Sequence, residues 1–249
     1  MIKYFIKIAY DGSDFFGWQT QPREITVQDV LQNVLIQTLK LDDLKLVGCG
    51  RTDTGVHASC YYAHFDLENP ITDVGKCIYK LNNFLPFSIS VLDIFEVSEE
   101  AHARFDATSR TYHYFVHQQK DPFIKGYSHL FLRKLDYDKM NKACEVLLKN
   151  VDFSSFSKTG SDNKTVICKL TEAKWEKIGK QMRFKISADR FLRNMVRAIV
   201  GTLFEVGLGK ISLDEFQDII ESKSRQKAGA SAPAHALFLS DIKYPYISA

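Results

Sequence analysis

Two kinds of hydrophobic spacing alternate along this chain of 249 residues, in the order β-α-β-β-α-β, and the order occurs twice. Residues 2–10 carry apolar side chains at period two, as a half-buried strand does. Thr26 then stands as N-cap for a helix reaching about Lys40, with Val30, Leu31, Val34, Leu35 and Leu39 on one face. Residues 44–47 and 60–67 read as strands, 74–85 as a short helix ended by Pro86, and 90–97 as another strand. The second half repeats the order without repeating the sequence. Residues 111–117 are rich in β-branched and aromatic side chains, and Asp136 caps a helix to about Lys149 striped by Met140, Cys144, Leu147 and Leu148. Residues 165–178 and 182–187 pattern as a hairpin turning near Gly179-Lys180. A long helix over 190–206 follows, then a shorter one from about Leu213, and 237–244 closes as a strand. An α+β chain of two ferredoxin-like units with antiparallel sheets satisfies this order most economically. The boundary is expected near residues 102–106, giving units of 1–104 and 105–249.

With 45% hydrophobic and 25% charged residues, a disordered or collagen-like chain is excluded. No run approaches the roughly 18 apolar residues of a membrane helix. The opening Met1-Ile2-Lys3-Tyr4-Phe5-Ile6-Lys7 mixes charge with apolar residues, unlike a signal peptide. Five scattered cysteines (Cys49, Cys60, Cys77, Cys144, Cys168) form no CxxC pair, so reduced, mostly buried thiols in a cytoplasmic protein are expected. The net charge of +3 conceals a division. Residues 1–104 hold 9 Lys and Arg against 14 Asp and Glu, residues 105–249 hold 24 against 16, and residues 158–197 hold 11 against 4. A basic half invites an anionic partner, RNA or DNA, although one basic face is common among enzymes.

The segment Gly48-Cys49-Gly50-Arg51-Thr52-Asp53-Thr54-Gly55-Val56-His57-Ala58 lies between two strand patterns, with glycines that permit positive φ and close approach of a ligand. Arg51 and Asp53 are two apart, so in an extended segment the cation sits on the side of the carboxylate and keeps it ionised. Such an aspartate serves as nucleophile or base. From spacing alone, a self-bonded turn in which Arg51 neutralises Asp53 accounts for the segment better. A phosphate-cradling loop does not fit, because the Lys and Ser/Thr that it needs are absent.

Gly50-Arg51-Thr52-Asp53-Thr54-Gly55-Val56-His57-Ala58 closely resembles the signature of the tRNA pseudouridine synthase A family. Tyr10-Asp11-Gly12-Ser13-Asp14-Phe15-Phe16-Gly17-Trp18-Gln19-Thr20-Gln21-Pro22 resembles its opening motif, and His102-Ala103-Arg104-Phe105-Asp106-Ala107-Thr108-Ser109-Arg110-Thr111-Tyr112-His113-Tyr114 its central one. Phe191-Leu192-Arg193-Asn194-Met195-Val196-Arg197-Ala198-Ile199-Val200-Gly201-Thr202-Leu203 resembles its late helix, and Ala228-Gly229-Ala230-Ser231-Ala232-Pro233-Ala234 its closing loop. The motifs occur in family order over nearly the whole chain. Ala236 stands where the family often has glycine, and Ser231 where threonine is common.

The resemblance implies the pseudouridine synthase fold and the isomerisation of uridine to pseudouridine at positions 38 to 40 of the tRNA anticodon stem-loop. That reaction breaks the N1–C1′ bond, turns the uracil and rejoins it through C5, without redox change or phosphate transfer. No nicotinamide or nucleotide cofactor is therefore required, and neither a GxGxxG run nor a P-loop occurs. By resemblance Asp53 is the catalytic carboxylate, Tyr112 stacks on the extracted uracil and takes the C5 proton, and Arg197 pairs with the carboxylate. Arg51 assists by orienting Asp53 or by filling the gap left by the flipped base, and Gly50 and Thr52 flank the substrate. Arg190, Arg193 and Arg197, spaced by three and four, form a helical stripe toward RNA opposite the apolar Phe191, Met195, Ile199 and Leu203. The family works as a homodimer with tRNA as partner and no membrane.

His113 and His117 are four apart, but in a strand that separates them by roughly 13 Å, too far to share a metal. No metal is expected, and His57 and His64 read as structural or RNA-facing. Two alternatives from other classes are a non-catalytic tRNA binder, which needs none of Asp53, Tyr112 and Arg197 in particular, and a nucleoside hydrolase, which releases free uracil.

Overall fold

The computed structural model describes residues 1–160 and 165–247. It is an α+β protein with mostly antiparallel strand pairing and, among the described residues, five α-helices. The chain packs as two units, one of residues 1–108 together with 239–249, the other of residues 109–238.

The first unit contains β1 (Ile2–Tyr10), α1 (Val27–Leu39), β2 (Val47–Gly48), β3 (His57–Leu67), α2 (Val74–Phe84) and β4 (Ile89–Val97). Thr26 caps α1 by accepting from the Asp29 amide, and Asp73 caps α2 by accepting from Lys76. The strand order is β4-β1-β3, all antiparallel, with β2 paired to β3. Residues 239–247 return to this unit in the last strand and the segment after it. The Tyr244 hydroxyl donates to the Ala103 carbonyl (2.6 Å), the Thr108 amide to the Lys243 carbonyl (2.8 Å) and the Tyr246 hydroxyl to Asp106 (2.9 Å). This return alters the pattern of β1. Period two predicts one wet face, yet Phe5 is buried along with Tyr4 and Ile6, because Tyr244 and Tyr246 pack on its ring at 5.3 and 6.0 Å.

The expected strand over 44–47 shrinks to the two residues of β2. The backbone before it takes partners from side chains instead: Gln32 Oε1 accepts from the Leu46 amide, Gln28 Nε2 donates to the Leu46 carbonyl and Asp43 accepts from the Leu44 amide. With those groups satisfied, no neighbouring strand is needed.

The second unit contains β5 (Ser109–His117), β6 (His129–Leu130), α3 (Tyr137–Leu148), β7 (Leu170–Ile178), β8 (Gln181–Ala188), α4 (Met195–Gly207) and α5 (Leu213–Glu221), and β9 (Leu237–Lys243) begins at its end. Its strands run β5-β8-β7, antiparallel, with β6 parallel to β5. Asp136 caps α3 through the Lys139 amide, and Ser212 with Glu215 closes a capping box on α5. In α3, Met140, Cys144 and Leu147 are buried, but Leu148, rotated off that face by one residue, is exposed. The expected hairpin strand starts at Leu170 rather than 165, because residues 166–168 run along 151–153 through Phe153–Val166 and Cys168–Val151 hydrogen bonds.

The late helix also starts later than the spacing predicts. Asn194 has φ +65°, outside the helical region, and the Arg193 carbonyl accepts from the Lys158 amide instead of from a following turn. Arg190, Phe191 and Arg193 therefore precede α4, and the expected helical arginine stripe does not form. Met195, Ile199 and Leu203 are buried as expected, and almost every other α4 side chain is buried too.

All five cysteines are buried and free. His64 is buried and its Nδ1 accepts from the Ala103 amide at 3.1 Å. Burial first, then His102 and Lys3, push its pKa from 6.5 down to about 4. A base whose folded pKa lies below its unfolded value binds its proton more readily when unfolded, so its stabilisation is complete above about pH 6.5 and is lost as pH falls toward 4. His64 alone is expected to lower the unfolding free energy by about 2 kcal/mol at pH 5 relative to pH 7.5. Urea unfolding at the two pH values checks this, and His64→Gln should remove that share; an identical pH dependence in the variant would refute it.

Candidate active site

In the first unit, the loop between β2 and β3 is fixed from beneath by aromatic side chains. Trp18 stacks on Tyr61 with ring centroids 4.1 Å apart, and the Tyr61 hydroxyl donates to the Gly50 carbonyl at 2.6 Å. A Cβ at Gly48 would collide with that hydroxyl and the Trp18 indole, so glycine there is a packing requirement. Thr52 is buried, its hydroxyl 2.9 Å from the Tyr10 hydroxyl and its carbonyl accepting from the Trp18 amide. Its side chain therefore holds the loop from inside.

Asp53 follows on a tight turn. Its carbonyl accepts from the Val56 amide at 3.1 Å, and Gly55 supplies the positive φ of +75° that the third turn position requires. The Asp53 side chain is half-buried. Two further contacts lock the turn to the opening motif. The Gly55 amide donates to the Phe15 carbonyl, and Gly17 passes so close to the Thr52 carbonyl that any Cβ would strike it. His57 is buried with Nδ1 accepting from the Gly12 amide at 3.0 Å, and Asp11 Oδ1 lies at the same distance. His57 is thus a brace between two motifs.

Arg51 is exposed, and its Nε donates to Gln19 Oε1 at 3.2 Å. The hydrogen bond that orients it comes from Gln19, a residue the spacing of two with Asp53 does not indicate. Gly50 has neither the positive φ of Gly55 nor the close protein atoms that a Cβ would meet at Gly48.

In the second unit, Tyr112 pairs across β5 and β8 with Ile186. Tyr114 and Val116, on the same face, are fully buried, whereas Tyr112 is half-buried with its ring edge-on to Phe191 at 5.1 Å. Phe191, expected on the helix, instead walls one side of this tyrosine. Arg197 lies in the first turn of α4. Its Nε donates to the Ala232 carbonyl at 2.8 Å, and the Ala232 amide donates back to the Arg197 carbonyl at 2.9 Å. Two residues that the spacing argument passed over complete this clamp. Asn194 Nδ2 and Arg225 Nη2 both donate to the Ser231 hydroxyl, at 2.6 and 2.9 Å, and Arg225 Nη1 donates to the Ala228 and Gly229 carbonyls. Serine at 231 provides the hydroxyl that this network uses. Arg225 had a signal: a cation three to six residues before a loop of small residues whose carbonyls need donors.

Several cations of the second unit are engaged in ion pairs at its surface. Lys185 and Lys174 pair with Glu172 at 2.8 and 3.4 Å, and Arg183 pairs with Glu176. Arg190, Arg193 and Lys158 are exposed, the last two tied through their backbones. Among the described residues no helix is long and apolar enough to cross a membrane. His117 Nδ1 lies 2.9 Å from the Ser128 hydroxyl. Among the described residues no group of three His, Cys, Asp or Glu side chains is gathered as a metal ion would require.

A sequence profile of a family described as tRNA pseudouridine synthase matches residues 143–245. Three similar proteins, all named tRNA pseudouridine synthase A, align over nearly their full lengths. That of Parabacteroides distasonis is 51% identical over 245 residues, covering 98% of this chain and 97% of its own. That of Bacteroides fragilis is 51% identical over 244 residues, covering 98% and 96%. That of Porphyromonas gingivalis is 49% identical over 249 residues, covering 98% of each.

Proposed function

The chain belongs to the tRNA pseudouridine synthase A family, and from that premise we infer that it is an isomerase converting uridine to pseudouridine in tRNA. Its targets in this reading are uridines 38, 39 and 40 of the anticodon stem-loop, and it works as a cytoplasmic homodimer without cofactor. The two halves of the chain are ferredoxin-like subdomains. The acidic first, 1–104, carries the aspartate loop, and the basic second, 105–249, supplies phosphate contacts. The observation that carries the reading is near-complete alignment at about half identity with proteins of that name.

Asp53 provides the ionised carboxylate, which the reaction needs against positive charge developing at C1′ or for addition to the uracil ring. A braced, half-buried turn supports this role, because a catalytic carboxylate must hold its aim while the base turns. Arg197 keeps the carboxylate charged, Tyr112 receives the flipped uracil, and Arg51 with Gly50 borders it. Arg190 and Arg193 contact the RNA backbone. Thr52 acts through the loop, as its buried hydroxyl suggests. In the balance of the reaction, C5 loses a hydrogen to solvent, N1 gains one, and the glycosidic bond moves from N1 to C5.

Tritium release from tRNA carrying 5-³H-uridine tests the reading directly. The isomerase must expel the label and retain the base in the RNA; release of free uracil would indicate the hydrolase, and no release the binder. Tyr112→Phe separates the two tasks of the ring. It is expected to keep tRNA affinity and lower kcat about 100-fold, the lower range for loss of a positioned proton acceptor. Unchanged kcat would limit Tyr112 to stacking.

A further inference from the structure

In the first unit a cavity of about 480 Å³ opens beside the aspartate loop, a volume suited to one nucleotide rather than a duplex. Lys45, Arg51 and Arg104 line it against a single carboxylate, Asp43. This inverts the charge of its surroundings, since residues 1–104 are acidic overall. Three cations around one cavity are therefore not a by-product of a generally basic surface.

The cavity is also built. Arg51 Nε donates to Gln19 Oε1 (3.2 Å), Gln19 Nε2 to Gln28 Oε1 (3.3 Å), and Gln28 Nε2 to the Leu46 carbonyl (2.9 Å). This relay ties a guanidinium on a loop to α1 and to the backbone before β2. The ordering of a long side chain is thereby done before any ligand arrives. One guanidinium donor serves the relay, and the planar fork has four more N–H groups for an oxyanion. Gly50 contributes the remaining feature. It lines the cavity, and no protein atom stands within 4 Å of its absent Cβ, so neither packing nor backbone conformation explains glycine there. Close approach of a ligand to the loop does.

We propose that this cavity is a phosphodiester subsite for the RNA strand flanking the target uridine, with Arg51 as the preset fork, Lys45 as a point charge, and Gln19 and Gln28 as positioning residues. The proposal rests on the tRNA reading above. It gives the acidic unit its own hold on the RNA, next to the aspartate, where grip on the adjacent backbone offsets the unstacking of the flipped base.

The test is binding of a 17-nucleotide anticodon stem-loop RNA, followed by fluorescence anisotropy between about 50 and 300 mM KCl, with steady-state kinetics on tRNA. Lys45→Gln should make the slope of log K against log salt shallower by about 0.7 to 0.9, the value of one phosphate contact. It should raise KM about fivefold with kcat unchanged, and Lys45→Arg should restore both. Gln19→Leu leaves the charge count intact, so it should weaken binding about threefold at the wild-type slope, which a loss of charge would not do. Lys76→Gln, an exposed cation on α2, should match wild type. A wild-type slope and KM in Lys45→Gln would overturn the subsite while leaving the isomerase reading intact. Absence of tritium release by the wild type would overturn the isomerase reading, while the salt slopes still decide whether the cavity takes RNA.

Discussion

Asp53→Asn is expected to lower pseudouridine formation at least about a thousandfold while leaving tRNA affinity within about twofold. A factor of a thousand corresponds to about 4 kcal/mol of transition-state stabilisation, within the range lost when a nucleophile or its charge is removed. Asparagine is nearly isosteric, and the turn has backbone supports that the substitution leaves in place. The Asp53 carbonyl still accepts from Val56, Gly55 keeps its positive φ, and Tyr10 and Trp18 still hold Thr52. Loss of activity in a variant with wild-type melting temperature and tRNA Kd therefore reports the charge itself. Single-turnover conversion within tenfold of wild type would remove Asp53 from the chemistry. Weakened tRNA binding equal to the loss of turnover would make it a binding residue instead.

The second large effect is expected from a single added methyl group. Gly201→Ala places a Cβ against the Ala230 carbonyl oxygen, with the Ala230 carbonyl carbon at 2.9 Å. Two terms oppose one another. Alanine gains about 1 kcal/mol in helix propensity, and overpacking against backbone costs up to about 3 kcal/mol or more. Overpacking prevails because the loop has nowhere to yield: the Gly229 amide is bound to Thr202, Ser231 to Asn194 and Arg225, and Ala232 to Arg197. A net loss of about 2 kcal/mol should lower Tm by about 4–8 °C for a chain of this size. The displaced loop also carries the acceptor of Arg197 Nε, so kcat/KM, measured well below the melting range, should fall about tenfold. A Tm within 1 °C of wild type would show that the loop moves freely.

Much of the architecture was legible because it rests on local signals. Thr26 and Asp136 cap helices as the sequence indicates, each a short polar side chain before an apolar stripe, and Asp73 and Ser212 cap two more that the sequence reading left without a named cap. What period and propensity do not encode is where backbone groups find partners from afar. Residues 44–46 look like a strand, yet Gln28 and Gln32 of α1 take both backbone groups of Leu46, and Asp43 takes the Leu44 amide. Residues 190–194 look helical, yet Asn194 at positive φ and the Lys158–Arg193 bond turn them aside. At the candidate site, the residues named by motif were readable, but their supports were not. Gln19 and Asn194 reach partners 32 and 37 residues away, and nothing in their local sequence marks the partner, whereas the acceptors of Arg225 lie only three to six residues on.

The return of residues 239–247 to the first unit has a consequence for biosynthesis. A ribosome releases residues 1–108 long before the Tyr244 and Tyr246 rings exist to cover Phe5. At about 5–20 residues per second, the intervening stretch takes on the order of 10–30 s to synthesise. Throughout that interval the nascent first unit shows a ring meant for its interior and a β3 edge without its last partner, β9. The second unit, continuous in sequence over 109–238, has no such wait. The first part made is thus the last completed, and for that interval it is the natural client of a chaperone.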